Sequence, residues 1–427
     1  MKINMILSLL TVFILLSSQN ASANYFKDFP TTISKNLVTD YGANNYDIQD
    51  DTPQLQKAID QLSQEGGGQI IIPKGVYYFF NVQLKSNIKI LIDQHATIRP
   101  YKNKMFKHGS NSIFSVSENN TNLVQNVEVT CLQKGKRFTV QFPVIRAISG
   151  DNPSKSFNNV YGIRVFNFFN VKNFSISNFN VYDSKTKYSS VEMGAITTPS
   201  NIKNRGQDPT TGDVKNITVF NAAYGYGAVQ VQAANNIFFK NIESDGGAAL
   251  RLETGFYKTN NLQIGGVQDI KANNIRCING SAALTLSPHA LHTDKNIEAQ
   301  NIKSNGCGFA VRIAGGFVSQ KYTTKGLTKG SFKNVSIHGV DATFGMHSQI
   351  LDKDFTFLPK ELQRYIYRTN TRLEALSGPS IAAVGYVAGP GEKVNYDVSI
   401  TGIKTHGFKN KAIITNNDRY KLYTTEH

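Results

Sequence analysis

The sequence predicts an all-β protein that folds as a single-domain, right-handed parallel β-helix, with an N-terminal capping helix and a short helical insertion near the C-terminus. Three observations predict this fold. Short blocks of asparagine followed by a branched or aromatic residue recur along the chain. Polar and apolar residues alternate within the blocks with the period of two that a half-buried strand shows. No low-complexity linker divides the 427 residues, which indicates one domain.

The first 23 residues have the features of a secretion signal. Lys2 supplies the positive start, residues 5–16 form the apolar run, and Ala21-Ser22-Ala23 is a small-residue cleavage site. The apolar run is too short to span a bilayer. We therefore expect residues 1–23 to be a signal peptide, residues 24–427 to be the β-helix domain, and the protein to be secreted, either extracellular or periplasmic.

An amphipathic helix is predicted ahead of the first strands. Thr52 is the expected N-cap and Pro53 the first helical residue. Apolar residues then recur at helical spacing until three glycines, residues 66–68, end the pattern. Such a helix would cover the open end of the β-helix core, as an exposed edge requires. The apolar positions are Leu55, Ala58, Ile59 and Leu62.

The asparagines that open the repeated blocks are expected to stack at one corner of the β-helix. Backbone groups in turns need partners, and asparagine side chains can supply them. The blocks are unequally spaced, which fits coils that insert loops on one face. The asparagines are Asn173, Asn216, Asn236, Asn274 and Asn334, with a weaker copy at Asn301.

A second helical segment is predicted near the C-terminus, over about residues 355–377. The stretch from Pro359 to Leu376 is rich in arginine and tyrosine, and Gly378-Pro379 ends it. Two roles stay open for this insertion, a surface flap or a wall of a cleft.

Cysteine usage excludes a disulfide scaffold, since the chain has only three cysteines: Cys131, Cys277 and Cys307. The last two are about one repeat apart and either pair or stay as free buried thiols. Metal ligation by cysteine has no support, and no metal ligands are assigned.

The formal net charge of +16 predicts a polyanionic partner. Export argues against nucleic acid and favours an anionic polysaccharide. A basic surface that serves only solubility is the alternative. We expect no nucleic-acid partner, no membrane association and a monomer.

Polar residues share one face of three predicted strands between residues 225 and 289. Val229, Leu250 and Leu284 alternate with them and are expected to face the core. One glutamate therefore lies among neutral and basic residues on a rigid sheet. The polar set is Gln230, Gln232, Arg251, Glu253, Thr285, Ser287 and His289.

The chain resembles a known family over about residues 37–384. Residues 38–43 and 72–75 are similar to the N-terminal signature of pectin-lyase-type β-helices. More specifically, the sequence resembles the iota-carrageenases of glycoside hydrolase family eighty-two. The motifs that carry this likeness are Gly225-Tyr226-Gly227, residues 246–254, Gly265-Gly266, residues 274–277, Pro288-His289 and Ala310-Val311-Arg312.

The resemblance implies an endo-hydrolase of a sulfated galactan, iota-carrageenan, that cleaves β-1,4 bonds with inversion. It implies that Glu253 is the general acid, that Gln230 places the water and that His289 is an active-site histidine. A partly buried glutamate can hold its proton near neutral pH. The resemblance also implies that Arg251, Tyr226 and Arg312 bind the sulfated substrate, and arginine suits sulfate because it offers a planar fork of donors. No cofactor is required; a structural calcium, sodium or chloride ion is compatible with the resemblance.

The sequence departs from the family at the general base. That residue is an aspartate two positions after the acid, where this chain has Gly255. Glu192 is a candidate replacement. If its strand lies two rungs from Glu253, the carboxylates are roughly 9–10 Å apart, near the 6.5–9.5 Å typical of inverting enzymes. Asp245 is a second candidate. Two other acidic positions of the family are replaced by Ala314 and Ser319, and the roofing insertion between Val318 and Lys329 is absent.

Other functions predict different residues. A pectate or pectin lyase needs clustered acidic ligands for calcium, and the polar face offers only Glu253. A polygalacturonase-like hydrolase would show paired aspartates and an Arg-His-Gly run, which are absent. A sulfated-polysaccharide-binding β-helix with lost or weak catalysis stays open, because Gly255 removes the expected base.

Overall fold

The structure is a computed structural model of the full chain. It describes residues 25–104, 111–117, 119–120, 122–143, 162–197, 206–254, 264–316, 318, 326–368, 376–387 and 397–420. The predicted signal peptide, Gly255 and Ser319 lie outside these ranges.

Strands dominate the chain, and only two α-helices occur in the described part, α1 (Thr52–Gln64) and α2 (Lys360–Gln363). Three 3-10 helices cover Lys102–Lys104, Asp352–Phe357 and Asn416–Asp418. The strands are β1 Ser34–Asn36, β2 Gly68–Ile72, β3 Gly75–Phe79, β4 Val82–Gln83, β5 Ile88–Ile92, β6 Ala96–Pro100, β7 Asn111–Val116, β8 Val124–Cys131, β9 Phe138–Gln141, β10 Ile163–Phe168, β11 Val171–Tyr182, β12 Val191–Met193, β13 Thr210–Val231, β14 Ala234–Thr254, β15 Val267–Ile278, β16 Ala282–Pro288, β17 Thr293–Asn305, β18 Phe309–Ala314, β19 Ser331–Thr343, β20 Ser348–Ile350, β21 Tyr367–Arg368, β22 Leu376–Gly378, β23 Ala382–Val387, β24 Val398–His406 and β25 Ile413–Thr415.

The strands form three parallel stacks, which confirms the predicted β-helix. Each turn of the chain adds one strand segment to each stack, and long strands such as β13 and β14 bend through all three. The first stack begins β1, β2, β5, β8, and the second begins β3, β6, β9. The third stack carries the polar face described below. Its order is β4, β7, β10, β12, then the C-terminal parts of β13 and β14, then β16, β18, β23 and β25.

Inward residues of the three stacks form one continuous apolar core. Large aromatic rings repeat on successive rungs inside it. The rings of Phe114 and Phe166 stack with centroids 5.2 Å apart, and those of Phe138 and Phe179 lie 5.4 Å apart. Such offset pairs add to the energy of area burial, so the core fixes both the strand register and the outward direction of the polar residues.

Asparagines stack as predicted, but in two ladders rather than one. Asn173 donates to Asn126, which donates to Asn87, at 2.7 Å in each case. A second ladder, five residues further along each rung, includes Asn216, which donates to Asn178 at 2.8 Å. The rungs at Asn236 and Asn334 belong to the first ladder, and those at Asn274 and Asn301 to the second. Ladder asparagines have positive φ angles, a conformation that asparagine tolerates better than most residues.

The N-terminal helix covers the core as predicted, with its start one residue earlier. Asp51 is the N-cap residue and Pro53 lies in the second helical position. The hydroxyl of Thr52 instead accepts a hydrogen bond from the backbone N of Phe80 at 2.8 Å. The four predicted apolar residues of the helix are fully buried against the first rungs.

The C-terminal insertion is helical only in its first part. Its helices are the 3-10 helix Asp352–Phe357 and the single turn α2. The prediction of a continuous helix to Leu376 is wrong, because β21 and β22 are extended and pair antiparallel with each other, and β22 with β20. Phe357 and Leu362 pack with Phe309 and Ala382 of the third stack. The insertion therefore sits beside the polar face as a wall, the second of the two predicted roles.

Cys277 and Cys307 form a disulfide with a Cα separation of 6.4 Å, while Cys131 is a buried free thiol. This settles the choice that the sequence left open. No helix in the described part of the chain is long and apolar enough to cross a membrane.

Candidate active site

One outward row on the third stack brings together most of the predicted site residues. The register pairs Gln230 with Arg251, Arg251 with Thr285, and Thr285 with Arg312. Glu192 continues this row on the strand before Gln230. Their inward neighbours are buried aliphatic residues, so the predicted alternation of core and polar residues is confirmed.

Glu253 lies two residues beyond Arg251 on β14, opposite Ser287 of the next rung. Its Oε2 accepts a short hydrogen bond from Arg251 Nη2 and lies 3.5 Å from Gln230 Nε2. Its Oε1 lies 3.8 Å from His289 Nε2. The side chain is 25% exposed. The structure thus brings together the four residues Glu253, Arg251, Gln230 and His289, as the sequence predicts.

The protonation state of Glu253 differs from the expectation. Burial by itself would raise the pKa of this carboxyl group, but the Arg251 guanidinium and the hydrogen bond and charge of His289 outweigh it. Together they lower the pKa of Glu253 to about 2. Glu253 is therefore a carboxylate in the substrate-free protein at neutral pH, and an acid role requires that it gain a proton when substrate binds.

Arg251 is held at the centre of the group by a glycine turn. Its Nη1 donates to the backbone oxygen of Gly225 and lies 3.5 Å from Gln230 Oε1. The guanidinium also lies over the ring of Tyr226, 5.9 Å from the centroid. Gly227, at φ 145°, lies so close to the next rung that a Cβ would be 2.0 Å from the Ala248 oxygen. The Gly225-Tyr226-Gly227 motif therefore folds the chain tightly enough to place Tyr226 beside Arg251.

Glu192 is buried and forms an ion pair with Arg164, whose guanidinium stacks 3.7 Å from the centre of the Tyr188 ring. It lies two rungs from the strand of Glu253, as supposed. However, Glu253 is also displaced by two residues along the strand. The backbone positions are then about 12 Å apart, from about 4.8 Å per rung and 3.3 Å per residue. Glu192 stays a prediction as general base.

Asp245, the second candidate, lies on the second stack opposite Ile278 and is not among the residues that line the cleft. Burial raises its pKa. The Gly246-Gly247 turn separates it from the strand that carries Glu253.

A buried polar group that sequence reasoning missed lies behind Glu253. The hydroxyl of Thr254 donates to Asp294 Oδ1 at 2.8 Å and accepts from the backbone N of His289 at 3.4 Å. Asp294 is fully buried, and this burial raises its pKa well above the usual value. Thr254 thus links the strand end that carries Glu253 to the loop that carries His289. No periodic signal marks Asp294 in the sequence, because its strand belongs to another stack.

A cleft of about 630 Å³ opens along the row from Glu253 towards the C-terminal insertion. Arg312 forms an ion pair with Asp354 at 3.2 Å and donates to the Tyr224 hydroxyl at 3.3 Å. Burial would lower the pKa of Arg312, but Asp354 and Tyr224 raise it. Arg312 therefore lines the cleft as a charged side chain, and its role in substrate binding stays a prediction.

Two further cations line the cleft and were not found from the sequence. Lys353 comes from the 3-10 helix of the insertion, and its pKa is lowered by burial and by Arg312. Arg419 comes from the C-terminal segment, where it donates to Thr356 at 2.6 Å and to Asn416 at 3.2 Å. No carboxylate of the described chain lies within ion-pair distance of either side chain. The cleft therefore has unpaired positive charge suited to an anionic ligand.

No group of three or more histidine, cysteine, aspartate or glutamate side chains could hold a metal ion within the part of the chain that the structure describes. Ala314 lines the cleft. Gly255 and Ser319 cannot be placed, since both lie outside the described ranges.

Comparisons with known proteins agree with this geometry. An iota-carrageenase from Alteromonas macleodii is 35% identical over 287 residues, which are 67% of this chain and 54% of that protein. One from Zobellia galactanivorans is 34% identical over 284 residues, which are 66% of this chain and 53% of that protein. The chain is similar to iota-carrageenases in both sequence and fold.

A solved structure of an iota-carrageenase complexed to iota-carrageenan fragments superposes with a TM-score of 0.79. That comparison has 28% identity and covers 95% of this chain and 94% of the other. The chain spans about half the length of the two curated iota-carrageenases that it matches. No protein-family model matches the sequence.

Proposed function

We propose that the protein is an endo-hydrolase of a sulfated galactan, with iota-carrageenan as its substrate, and that it cleaves β-1,4 bonds with inversion. The contact of Glu253 with Arg251, Gln230 and His289, at one end of a cationic cleft, carries this proposal. The likeness to iota-carrageenases supports the choice of substrate.

The cleft residues have separate roles in this proposal. Arg251 and Arg312 bind sulfate groups through the planar donor fork of arginine, and Tyr226 packs against the sugar next to Arg251. A sulfate on Arg251 competes with Glu253 for the guanidinium and adds negative charge nearby. Both effects raise the pKa of Glu253, which then takes up the proton that it delivers to the departing oxygen. Gln230 and His289 orient the water that attacks the sugar from the side opposite the departing oxygen.

Glu253→Gln tests the acid. The variant should keep the fold and bind substrate, but lose about 100- to 10,000-fold in turnover, because protonation of the leaving oxygen is lost. Release of reducing ends from iota-, kappa- and lambda-carrageenan, with pectate as a control polymer, measures this. Glu243→Gln is a matched control, since Glu243 pairs with Arg276 at 3.4 Å on another stack. Wild-type rates in Glu253→Gln would refute the assignment.

The same assay separates the second candidate function. Because the expected base position holds Gly255, a binding protein with lost or weak catalysis would retain the polymer but release no reducing ends. A wild-type protein that binds all three polymers without cleaving any would favour this alternative.

Glu192 is proposed as the replacement base. Glu192→Ala should then lower turnover by at least about 100-fold with little change in binding, and azide should partly restore cleavage and give the inverted glycosyl azide. Glu192→Gln controls for packing, because it keeps the size of the side chain beside Arg164 but cannot accept the proton. If substitution at Glu192 had no effect on turnover, Glu192 would not be the general base, and the attacking water would be held by Gln230 and His289 alone.

Export through the signal at residues 1–23 and a monomeric state are also proposed, as is a structural calcium, sodium or chloride ion. The net charge of +16 supports a polyanionic substrate. N-terminal sequencing of protein recovered outside the cell would test the cleavage site after Ala23.

A further inference from the structure

A row of large polar and aromatic side chains runs across five rungs of the second stack, away from the strands that carry Glu253. The register aligns one residue from each of β3, β6, β9, β11 and β13. We call this row the aromatic shelf. Its members are Tyr78, Arg99, Gln141, Tyr182 and Phe220.

One end of the shelf is a flat apolar platform. The rings of Tyr182 and Phe220 stack with centroids 5.0 Å apart and planes 20° from parallel. Tyr182 is 48% exposed. The other strongly exposed aromatic residues of the described chain lie in loops, the insertion or the C-terminal segment rather than on the three stacks: Tyr46, Tyr365, Tyr367 and Tyr420. An exposed ring pair fixed on a rigid sheet offers a surface for the apolar face of a sugar ring.

Positive charge on and beside the shelf comes from two arginines, the shelf residue Arg99 and its neighbour Arg137. Arg99 donates to the Tyr78 hydroxyl at 3.1 Å and to Gln141 Oε1 at 2.6 Å. Arg137 lies beside the platform and donates to Asn180 at 3.1 Å and Thr218 at 2.6 Å, each two residues before a platform residue on the same strand. Neither arginine has a carboxylate within ion-pair distance among the described residues. Hydrogen bonds from both guanidinium groups go to neutral side chains. Burial lowers the pKa of Arg137 and the charge of Glu243 raises it, but arginine stays protonated in proteins, so both side chains can meet an external anion.

We propose that the aromatic shelf is a second binding site for a sulfated galactan chain, separate from the catalytic cleft. Tyr182 and Phe220 take the apolar face of a sugar ring, and Arg99 and Arg137 take sulfate groups. Rungs repeat every 4.8 Å or so, close to the length of one sugar unit, so a chain laid across the rungs meets successive shelf residues. The identity of the ligand rests on the proposed function, because the cleft defines the polymer.

A single fluorescent reporter tests the site directly. The chain has no tryptophan, so Phe220→Trp places the only one on the shelf and keeps an aromatic ring against Tyr182. Its emission should change when iota-carrageenan is added and stay constant with an unsulfated galactan. Tyr46→Trp, at an exposed loop position, is the matched control and should give no change. An unresponsive Phe220→Trp would overturn the proposal.

Removal of the platform gives a second test. Tyr182→Ala combined with Phe220→Ala, in the Glu253→Gln background, should weaken retention in a gel that contains the polymer by about five- to tenfold. With Glu253 intact, the same double variant should cleave short oligosaccharides at the wild-type rate. Unchanged retention would contradict the shelf alone. If Glu253→Gln with an intact shelf were not retained by any sulfated galactan, that result would instead contradict the proposed function.

Discussion

Arg251 and Glu253 have conflicting requirements in the substrate-free site. Arg251 donates to the carboxylate that the proposed reaction needs in its protonated form, and it helps lower the pKa of Glu253 to about 2. A sulfated ligand can resolve this conflict, because it binds the same guanidinium. In the proposed mechanism, Glu253 therefore takes up a proton only when an anionic sugar displaces it from Arg251.

Proton uptake on binding is the measurable consequence. Binding of a sulfated product oligosaccharide at neutral pH should take up a proton, which calorimetry detects as a binding heat that depends on the ionisation heat of the buffer. Glu253→Gln should bind without this uptake, since it has no carboxylate to protonate. Equal proton uptake in both proteins would contradict the role of Glu253, and no uptake in either would contradict the effect of sulfate on its pKa.

Asp294 sets a second pH effect, on stability rather than on activity. Its pKa is raised in the folded protein, so the folded state holds a proton that the unfolded state releases above pH 3.8 or so. The stabilisation is complete below that pH and is lost as the pH rises towards the folded-state pKa. The wild-type free energy of unfolding should fall in this range by up to about 1.4 kcal/mol per pH unit.

Asp294→Asn should remove this slope. Asparagine keeps an acceptor for the Thr254 hydroxyl and cannot ionise, so the variant should gain stability relative to wild type as pH increases and match it near pH 3. Urea unfolding at several pH values measures the difference. Asp341→Asn, at a half-exposed surface position, controls for the general loss of a carboxylate. A difference that does not depend on pH would show that Asp294 is not the titrating group.

Alternation along strands was enough to place Gln230, Arg251 and Glu253 on one outward face, because neighbouring rungs align residues of equal parity. Their roles were implied only by the family resemblance. Alternation could not predict Lys353, Arg419 or Asp294. The first two reach the cleft from a 3-10 helix and a terminal segment. Asp294 lies buried behind Glu253, on a strand that belongs to another stack. Such positions depend on tertiary contacts between distant segments, and the alternation of residues within one strand carries no information about them.

At the scale of elements, the insertion braces the turns that precede the catalytic strands. Gln349 of β20 accepts from the backbone N of Gly247 at 2.7 Å and donates to the oxygen of Ala222 at 3.1 Å. Its own backbone N donates to Gly280 at 3.1 Å. One residue therefore ties three consecutive rungs together just before the strand segments that carry Gln230 and Glu253.

Gln349→Leu should lower both the free energy of unfolding and kcat. Both turn groups would lose their partner, and an unsatisfied buried backbone group costs about 1–3 kcal/mol. Urea unfolding should show a loss in this range, and kcat should fall because the turn before Glu253 is no longer fixed. Gln363→Leu is a matched control, since Gln363 makes a similar bond to Leu358 within the insertion. Equal effects of the two changes would mean that Gln349 has no special link to the site.

The insertion also shows why its helix was predicted too long. Residues 359–376 contain good helix formers, yet β21 and β22 are extended because they pair with each other and with β20. Tertiary pairing overrides local propensity here. The capping helix was predicted well because its apolar spacing matches a surface that the first rungs must cover.

At the scale of the whole molecule, the repeat spacing predicted the β-helix but not the number of its asparagine corners. Asparagines of both ladders stand in the same local sequence pattern. Some intervals between them therefore separate neighbouring rungs at one corner, and others also include the step from one corner to the other. Only the register of β11, β13 and β14 separates them.

The net charge of +16 should speed the capture of a polyanion through the field of the whole molecule. Steering of this kind changes association rates by roughly 10- to 1,000-fold and is screened by salt. We expect kcat/KM for sulfated oligosaccharides to fall by about tenfold or more between about 0.01 M and 0.3 M salt, where the Debye length shortens from about 30 Å to under 10 Å. kcat should stay nearly constant, because the contacts of Glu253 are local.

Four exposed lysines can test whether the field is global: Lys295 and Lys333 on the first stack, and Lys303 and Lys404 on the second. Replacing all four with glutamine should lower kcat/KM at low salt and flatten its salt dependence, although none of them lines the cleft. Replacing the same four with arginine keeps the charge and should leave both quantities unchanged. If the glutamine variant matched wild type at every salt concentration, the attraction would come from the cleft cations alone, and the basic charge of the remaining surface would serve another purpose.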